Sequence, residues 1–341
     1  MFRYLDFRLI RSNYFEDFFD KYKPDLVFTP NLFDRFDLIL LREAKRRKIF
    51  TIGMIRSWDN LSNRGMLRIV PDQIIVHNNY IKSELLKWVT RDEKKIVISG
   101  MPHFDYYTGY RPNISKKDFY NKFNIPLDSR VIIFSPLPKS YGAKYWEVLK
   151  KLDQAISRGE IIKKVKILVR FMPAESVIVE DFIKEYFKGG VKNIFFDTPG
   201  KRFLSKIEKI DWDFNEKDMI HLANSLFYSS IVINYASTLN IDAAAFDKPI
   251  INIGFDGNEG LRPYHDSIRW IFDLDHNLQI VNSGGTKVVY STKELVEAIN
   301  IYLKDSSTDK VGREKIIKEQ CWKFDGKAGQ RVAGYILHRI K

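Results

Sequence analysis

Apolar residues in this chain fall into short runs that read as buried strands. Between them they recur every three or four positions, as on one face of a helix. In the first third the runs are PDLVFTP (24–30), KIFTIGMI (48–55), DQIIVHN (72–78) and KKIVISG (94–100), with helical patterns at 33–47 and 79–88. The prolines and glycines of MPHFDYYTGYRPN (101–113) interrupt the periodicity. It then resumes with strands at RVIIFSP (130–136), KVKILVRF (164–171), KNIFFD (192–197), SSIVINY (229–235) and KPIINIG (248–254). Helical patterns cover 141–158, 216–227 and 238–246, and three more, near 292–304, 309–322 and 327–340, close the chain. Strands that are apolar throughout and alternate with helices belong to parallel sheets covered on both faces. The pattern therefore predicts an α/β protein of two doubly wound, Rossmann-like domains, an N-terminal domain over 1–112 and a second over 113–325.

The first domain opens unusually. A nucleotide-site domain of this type begins with a strand and a tight glycine turn, whereas MFRYLDFRLIRSNYFEDFFDKYKPD reads as helical. With four strands before residue 101, the N-terminal domain is expected to be truncated, short of its opening strand–turn–helix unit. A helix over 12–22 crowds Tyr14, Phe15, Phe18 and Phe19 into two turns, more aromatic surface than one face can hide. That surface is expected to be covered by a second copy in a homodimer or by a separately encoded N-terminal partner.

Composition narrows the function. At 341 residues and 45% hydrophobic, the chain can bury two cores and is not disordered. Its net charge of +13 favours anionic contacts: nucleic acid, phosphorylated ligands or the anionic inner face of a membrane. No zinc-finger spacing, basic heptad or RNA-binding aromatic signature accompanies the charge, so nucleic acid is not an expected partner. One cysteine, no signal peptide and no apolar run of about 18 residues predict a cytoplasmic protein, peripheral on the membrane face at most. Cys321 sits beside Trp322 with no histidine near it in sequence, and reads as core packing.

The stretch INYASTLNIDAAAFDKPIINIGFDG (233–257) carries the chemistry. It reads as a strand, a turn of small hydroxyl residues, a short helix and a second strand. Ligands of open α/β sheets bind beyond the carboxyl ends of strands, where helix N-termini present N–H groups. Ser237 and Thr238 lie at such a point, and their hydroxyls suit a phosphate. Asp242, one turn further on, is wrong for a phosphate and right for accepting hydrogen bonds from a ribose diol or sugar hydroxyls. The same spacing is also that of a serine N-cap followed by a first-turn acid.

HLANSLFYSSIVINYASTLNIDAAAFDKPIINI (221–253) resembles the donor-site segment of GT-B transferases that build surface carbohydrates, among them the CDP-glycerol glycerophosphotransferases and, more remotely, the UDP-N-acetylglucosamine 2-epimerases. SWDNLSNRG (57–65) resembles that family's Trp-Asp-Asn segment, ISGMPHFDYY (98–107) its Gly-x-Pro-x-Phe-Asp motif, and DGKAGQRVAGYI (325–336) its C-terminal helix, here 326–341, which returns to the N-terminal domain. The resemblance implies a GT-B fold and a nucleotide-sugar or CDP-polyol donor as substrate, with no further cofactor. The implied reaction moves a glycosyl or polyol-phosphate group to a cell-surface glycan or lipid-linked precursor. It assigns Ser237 and Thr238 to donor phosphates and Asp242 to donor hydroxyls. Relatives often carry Arg-x-His-Pro where this chain has LVRFMP (168–173), so Met172 replaces the histidine while Arg170 remains to pair with a diphosphate. An ion pair at a strand end is the other reading of Arg170. Lys139, in SPLPKS, is a further phosphate candidate.

Such a transfer needs a base for the acceptor hydroxyl and positive charge for the departing nucleotide. In these folds the base comes from the N-terminal domain. Asp59, in a polar loop after a strand, is the first candidate, and turn capping is its other role; His103, beside Pro102, is the second. His77, at a strand end, reads as structural. DLD (273–275) reads as a loop and not as a metal site. The aromatic cluster Phe104, Tyr106, Tyr107 and Tyr110 either packs the hinge or stacks on a ligand. Two alternatives stand beside the transferase: a UDP-sugar 2-epimerase-like enzyme and a non-catalytic nucleotide-binding subunit.

Overall fold

The structure, a computed structural model, describes residues 2–137, 144–172, 179–188, 190–203, 211–213, 215–257 and 262–340. It divides into two units, residues 1–108 with 317–341, and residues 109–316.

In the first unit, β1 (Leu26–Thr29), β2 (Phe50–Met54), β3 (Gln73–Val76) and β4 (Ile96–Ile98) form a parallel sheet in sequence order. It has four strands among the described residues. Helix Arg35–Arg46 starts where the Asp34 carboxylate accepts the Phe36 and Asp37 N–H groups, and buries Leu38, Leu41 and Ala44 on one face. Helix Asn79–Trp88 starts at Asn78, whose side chain accepts the Ile81 N–H at 3.0 Å. The opening segment is helical at Phe2–Leu9 and Glu16–Tyr22. The second helix thus begins later than the predicted 12–22, with Phe15 at its N-cap. Phe19 alone of its aromatics is fully buried, packed with Val27 and Ala44, while Tyr14, Phe18 and Tyr22 stay exposed. Asp6 ties the first helix down through Arg42, at 2.6 Å, and Arg68. Burial alone would raise the Asp6 carboxyl, but these two guanidinium groups outweigh it and hold it below the usual carboxylate range.

Helix Ala328–Ile340 is clasped to the same unit by the residues of the two flanking motifs. Asp105 accepts the N–H groups of Ala328 (3.0 Å) and Gly329 (2.8 Å), an N-cap supplied from far away in sequence. Arg331 donates to the Ser99 carbonyl at 2.6 Å, and Val332 packs against Ile52, Met54 and Ile75. Gly100 has φ +79°, and a Cβ there would press on Ala328, Arg331 and the Cys321 carbonyl. Cys321 itself is buried.

The second unit holds β5 (Arg130–Phe134), β6 (Val165–Arg170), β7 (Ile194–Asp197), β10 (Ser229–Asn234), β11 (Ile250–Ile253) and β12 (Lys287–Val289). All are parallel, in the order β12-β11-β10-β5-β6-β7; β8 (Lys201–Phe203) and β9 (Asp211–Asp213) form a separate antiparallel pair. The chain winds outward from β5 to β7, then crosses to the other side of β5 and winds out to β12. This is the strand order of a dinucleotide-type fold, with its topological switch between β5 and β10.

Several elements have no clear pattern in the sequence. β12 and the helices Lys116–Lys122, Val179–Tyr186 and Asp275–Asn282 are short, and elements of that length depend on tertiary contacts for stability. The DLD segment is accordingly not all loop: Asp275 begins a helix and Asp273 accepts the Tyr264 hydroxyl. Close by, Gly285 lies backbone to backbone with Gly312 of helix Lys310–Gln320, leaving no room for a Cβ on either.

Candidate functional site

The Ser237–Thr238 turn follows β10 and so lies at the switch point of the second sheet. Three buried asparagines build it. Asn234 Oδ1 accepts the Ser237 N–H at 3.0 Å and its hydroxyl at 3.2 Å, and Asn234 Nδ2 donates to Asn240 Oδ1 at 2.8 Å. Asn252, on the neighbouring β11, accepts the Ala236 N–H at 3.1 Å. That bond holds Ala236 at φ 51°, a left-handed conformation that costs a non-glycine residue about 1 kcal/mol or more. Ser237 Oγ also accepts the Leu239 N–H at 3.3 Å, so its hydroxyl is engaged within the turn. Thr238 is exposed, and Asp242 is buried in the helix Leu239–Ala245.

Arg170 ends β6, two strands from β10 and thus about 10 Å across the same sheet edge. It is buried, and Nη1 donates to Asp197 at the end of β7, its register partner. His221 Nε2 lies 3.0 Å from both Asp197 oxygens, and its Nδ1 lies 3.3 Å from Lys122 Nζ. Burial would raise the Asp197 carboxyl, but the His221 hydrogen bond and the Arg170 charge outweigh it and hold it below the usual carboxylate range. The ion pair occupies one of the five donors that a guanidinium carries. Asp197 and His221 are not among the site candidates that the sequence offers. Opposite charges on the last residues of adjacent strands are the available signal for the first, and the second opens the 221–253 segment that carries the family resemblance. Lys139 lies outside the described residues. Met172 is 43% exposed.

In the first unit the candidates share one sheet edge. Asp59 follows β2 at the N-cap of the short helix Asn60–Asn63; its carboxylate accepts the Ser57 hydroxyl and, at 3.4 Å, Asn63 Nδ2. Asn60 accepts the Ser57 N–H at 3.0 Å, and Trp58 is buried beneath the loop. His103 follows β4, half-buried, with Nε2 3.1 Å from the Tyr107 hydroxyl. His77, at the end of β3, lies on the strand between them. Burial, reinforced by the charge of His103 and opposed by a hydrogen bond to the Ile55 backbone, lowers the His77 pKa to about 4. Its Nε2 has no partner among the described residues. Phe104 and Tyr107 are buried in this unit, whereas Tyr110 belongs to the second, donating to Asn224 at 2.8 Å. Among the described residues no cluster of acidic, histidine or cysteine side chains could hold a metal ion, and no helix is long and apolar enough to cross a membrane.

Comparison with solved structures gives the same architecture. MnaA from S. aureus in complex with UDP is 16% identical, with a TM-score of 0.60 over 99% of this chain and 80% of that one. UDP-GlcNAc 2-epimerase from Neisseria meningitidis, bound to UDP-GlcNAc, is 16% identical with a TM-score of 0.62, over 94% and 78%. The wall teichoic acid polymerase TagF is 16% identical with a TM-score of 0.55, over 93% and 72%. At these identities the likeness establishes the GT-B fold. No curated protein sequence matches. Residues 60–338 match the family described as CDP-glycerol:poly(glycerophosphate) glycerophosphotransferase, a span from the Asp59 loop to the C-terminal helix. The chain is a transferase and belongs to the CDP-glycerol:poly(glycerophosphate) glycerophosphotransferase family.

Proposed function

We propose that this transferase moves glycerol phosphate, or a closely related polyol phosphate, from its CDP-activated form to a hydroxyl of a cell-surface polymer or its lipid-linked precursor. The acceptor oxygen forms a bond to the donor's distal phosphorus, the bond from that phosphorus to the bridging oxygen breaks, and CMP leaves while a base takes the hydroxyl proton. The observation that carries the reading is the family match across 60–338, with the Ser237–Thr238 turn placed at the switch point where such folds bind nucleotides. In this reading Thr238 and Arg170 face the donor phosphates, with Lys139 as a further cation, and Ser237 shapes the turn. Asp242 takes the donor's hydroxyls, and Asp59, before His103, is the base.

The test is incubation with CDP-glycerol and a glycerol-phosphate acceptor, following CMP release and acceptor elongation. CMP with elongation is the expected result. Product from a UDP-sugar alone would favour an epimerase, and nucleotide binding without either product a non-catalytic subunit. The exposed Tyr14, Phe18 and Tyr22 support a second copy, or a separate partner, covering the N-terminal helices. Light scattering on the purified chain separates a dimer from a monomer of 40.2 kDa. Peripheral binding at the cytoplasmic membrane face through the basic surface is tested by sedimentation with anionic vesicles.

A further inference from the structure

The first unit contains a cavity of about 650 Å³ lined by five arginines, Arg11, Arg35, Arg42, Arg64 and Arg68, with an apolar wall that includes Leu38. The volume lies within the roughly 300–1,000 Å³ of ligand sites. Asp6 binds Arg42 and Arg68, so one carboxylate answers two of the five cations. Asp34 and Asp37, in the first turn beside Arg35, are committed to backbone N–H groups at Phe36 and Asn31. Arg11, Arg35 and Arg64 have no side-chain partner among the described residues and are exposed. On their own they would be solvated surface charges. Arg42 is different: its side chain is 4% exposed, it lines the cavity, and its Nε has no hydrogen-bond partner among the described residues. A buried donor left unpaired costs stability unless something fills its place.

We propose that this chamber holds phosphodiester groups of the acceptor chain; the inference rests on the transferase reading. Arginine keeps its charge at any working pH, and its planar fork matches phosphate oxygens bidentately. One inorganic phosphate would leave most of the chamber empty, whereas a chain alternating phosphate with short carbon units places anions against the guanidinium groups and CH₂ groups against the apolar wall. The segment 57–68 carries both Asp59 and the lining residues Arg64, Met66 and Arg68. One loop thus bears the candidate base and part of the cradle for the molecule it would deprotonate.

The test is calorimetric titration of the full chain with a short glycerol-phosphate oligomer, an uncharged polyglycerol of equal length, inorganic phosphate and phosphatidylglycerol vesicles. Arg35→Gln with Arg64→Gln is the variant, because it leaves the Asp6 bonds of Arg42 and Arg68 in place. The wild type should bind the oligomer with an affinity that falls as salt rises, and the variant at least about tenfold more weakly, with CDP affinity equal in both. Equal oligomer affinity in the two proteins, binding of the uncharged chain as strong as that of the charged one, or an arginine-dependent response to phosphate or vesicles alone would overturn it. A wild type that holds the oligomer through these arginines but neither binds nor cleaves CDP-glycerol would keep the chamber and sink the transferase reading.

Discussion

The two units place their candidate groups on the same kind of edge, the carboxyl ends of parallel strands, but by different means. In the second unit the strand order reverses between β5 and β10, so topology alone opens a crevice, and three buried asparagines shape the turn beside it. In the first unit the order β1-β2-β3-β4 has no reversal. Its edge is fixed by side chains: Asp59 in its own loop, and Asp105 reaching across to cap a helix more than two hundred residues away. Charged groups are correspondingly buried and paired at the second edge and half-exposed at the first, which predicts unequal responses to the same substitution.

The largest expected effect is at Asp197. Asp197→Asn leaves Arg170 buried without its counter-charge and should destabilise the second unit by about 3–5 kcal/mol, whereas Asp59→Asn, at a half-exposed loop, should cost less than about 1 kcal/mol. Hydrogen exchange of the two sheets reads both; equal costs would break the comparison. Acid should next reverse the order of weakness. The folded pKa of His77 lies at about 4, below its ordinary 6.5, so between those values the unfolded chain takes a proton that the folded chain refuses. Stability of the first unit is full above pH 6.5 and falls by roughly 3 kcal/mol on the way down to 4. The depressed Asp197 carboxyl stabilises the second unit at all pH above the ordinary carboxylate value, and that contribution is lost only as pH falls through its still lower folded value. Amide exchange across a pH series should show the first sheet opening before the second, and His77→Gln should remove the slope between pH 6.5 and 4.

Gly312→Ala should cost the second unit about 1–3 kcal/mol by forcing Gly284 and Gly285 away, with the first unit unmoved, as urea titration with exchange readout would show. The smallest effects separate support from contact. Asp105→Ala should cost about 1 kcal/mol and speed exchange in helix Ala328–Ile340. Ser237→Ala should cost a similar amount, since its hydroxyl is bonded to Asn234 and Leu239. Thr238→Val should weaken CDP binding about tenfold. A Ser237→Ala chain of unchanged stability would return that hydroxyl to the ligand.

Much of this was legible in the chain. Strands that are apolar on both faces announce themselves, and the apolar runs match all four strands of the first sheet and five of the six in the second to within a few residues, because burial on two sides admits no polar alternation. Helix Asn79–Trp88 coincides with the periodic stretch 79–88, its start marked by Asn78. The family was legible too, through the resemblance of the continuous segment 221–253 to the family's donor-site segment. Tertiary structure decided what is discontinuous. β12 contributes three residues whose pairing with β11 comes from the sheet, and the switch point is a property of strand order, which local patterns do not encode. Arg170 reads as a lone cation until β7 brings Asp197 beside it, and Asp105 as a surface acid until the C-terminal helix arrives. Periodicity records which side of an element is buried; it carries no record of which distant residue does the burying, and that pairing fixes whether a charge is solvent-exposed, structural or available to a ligand.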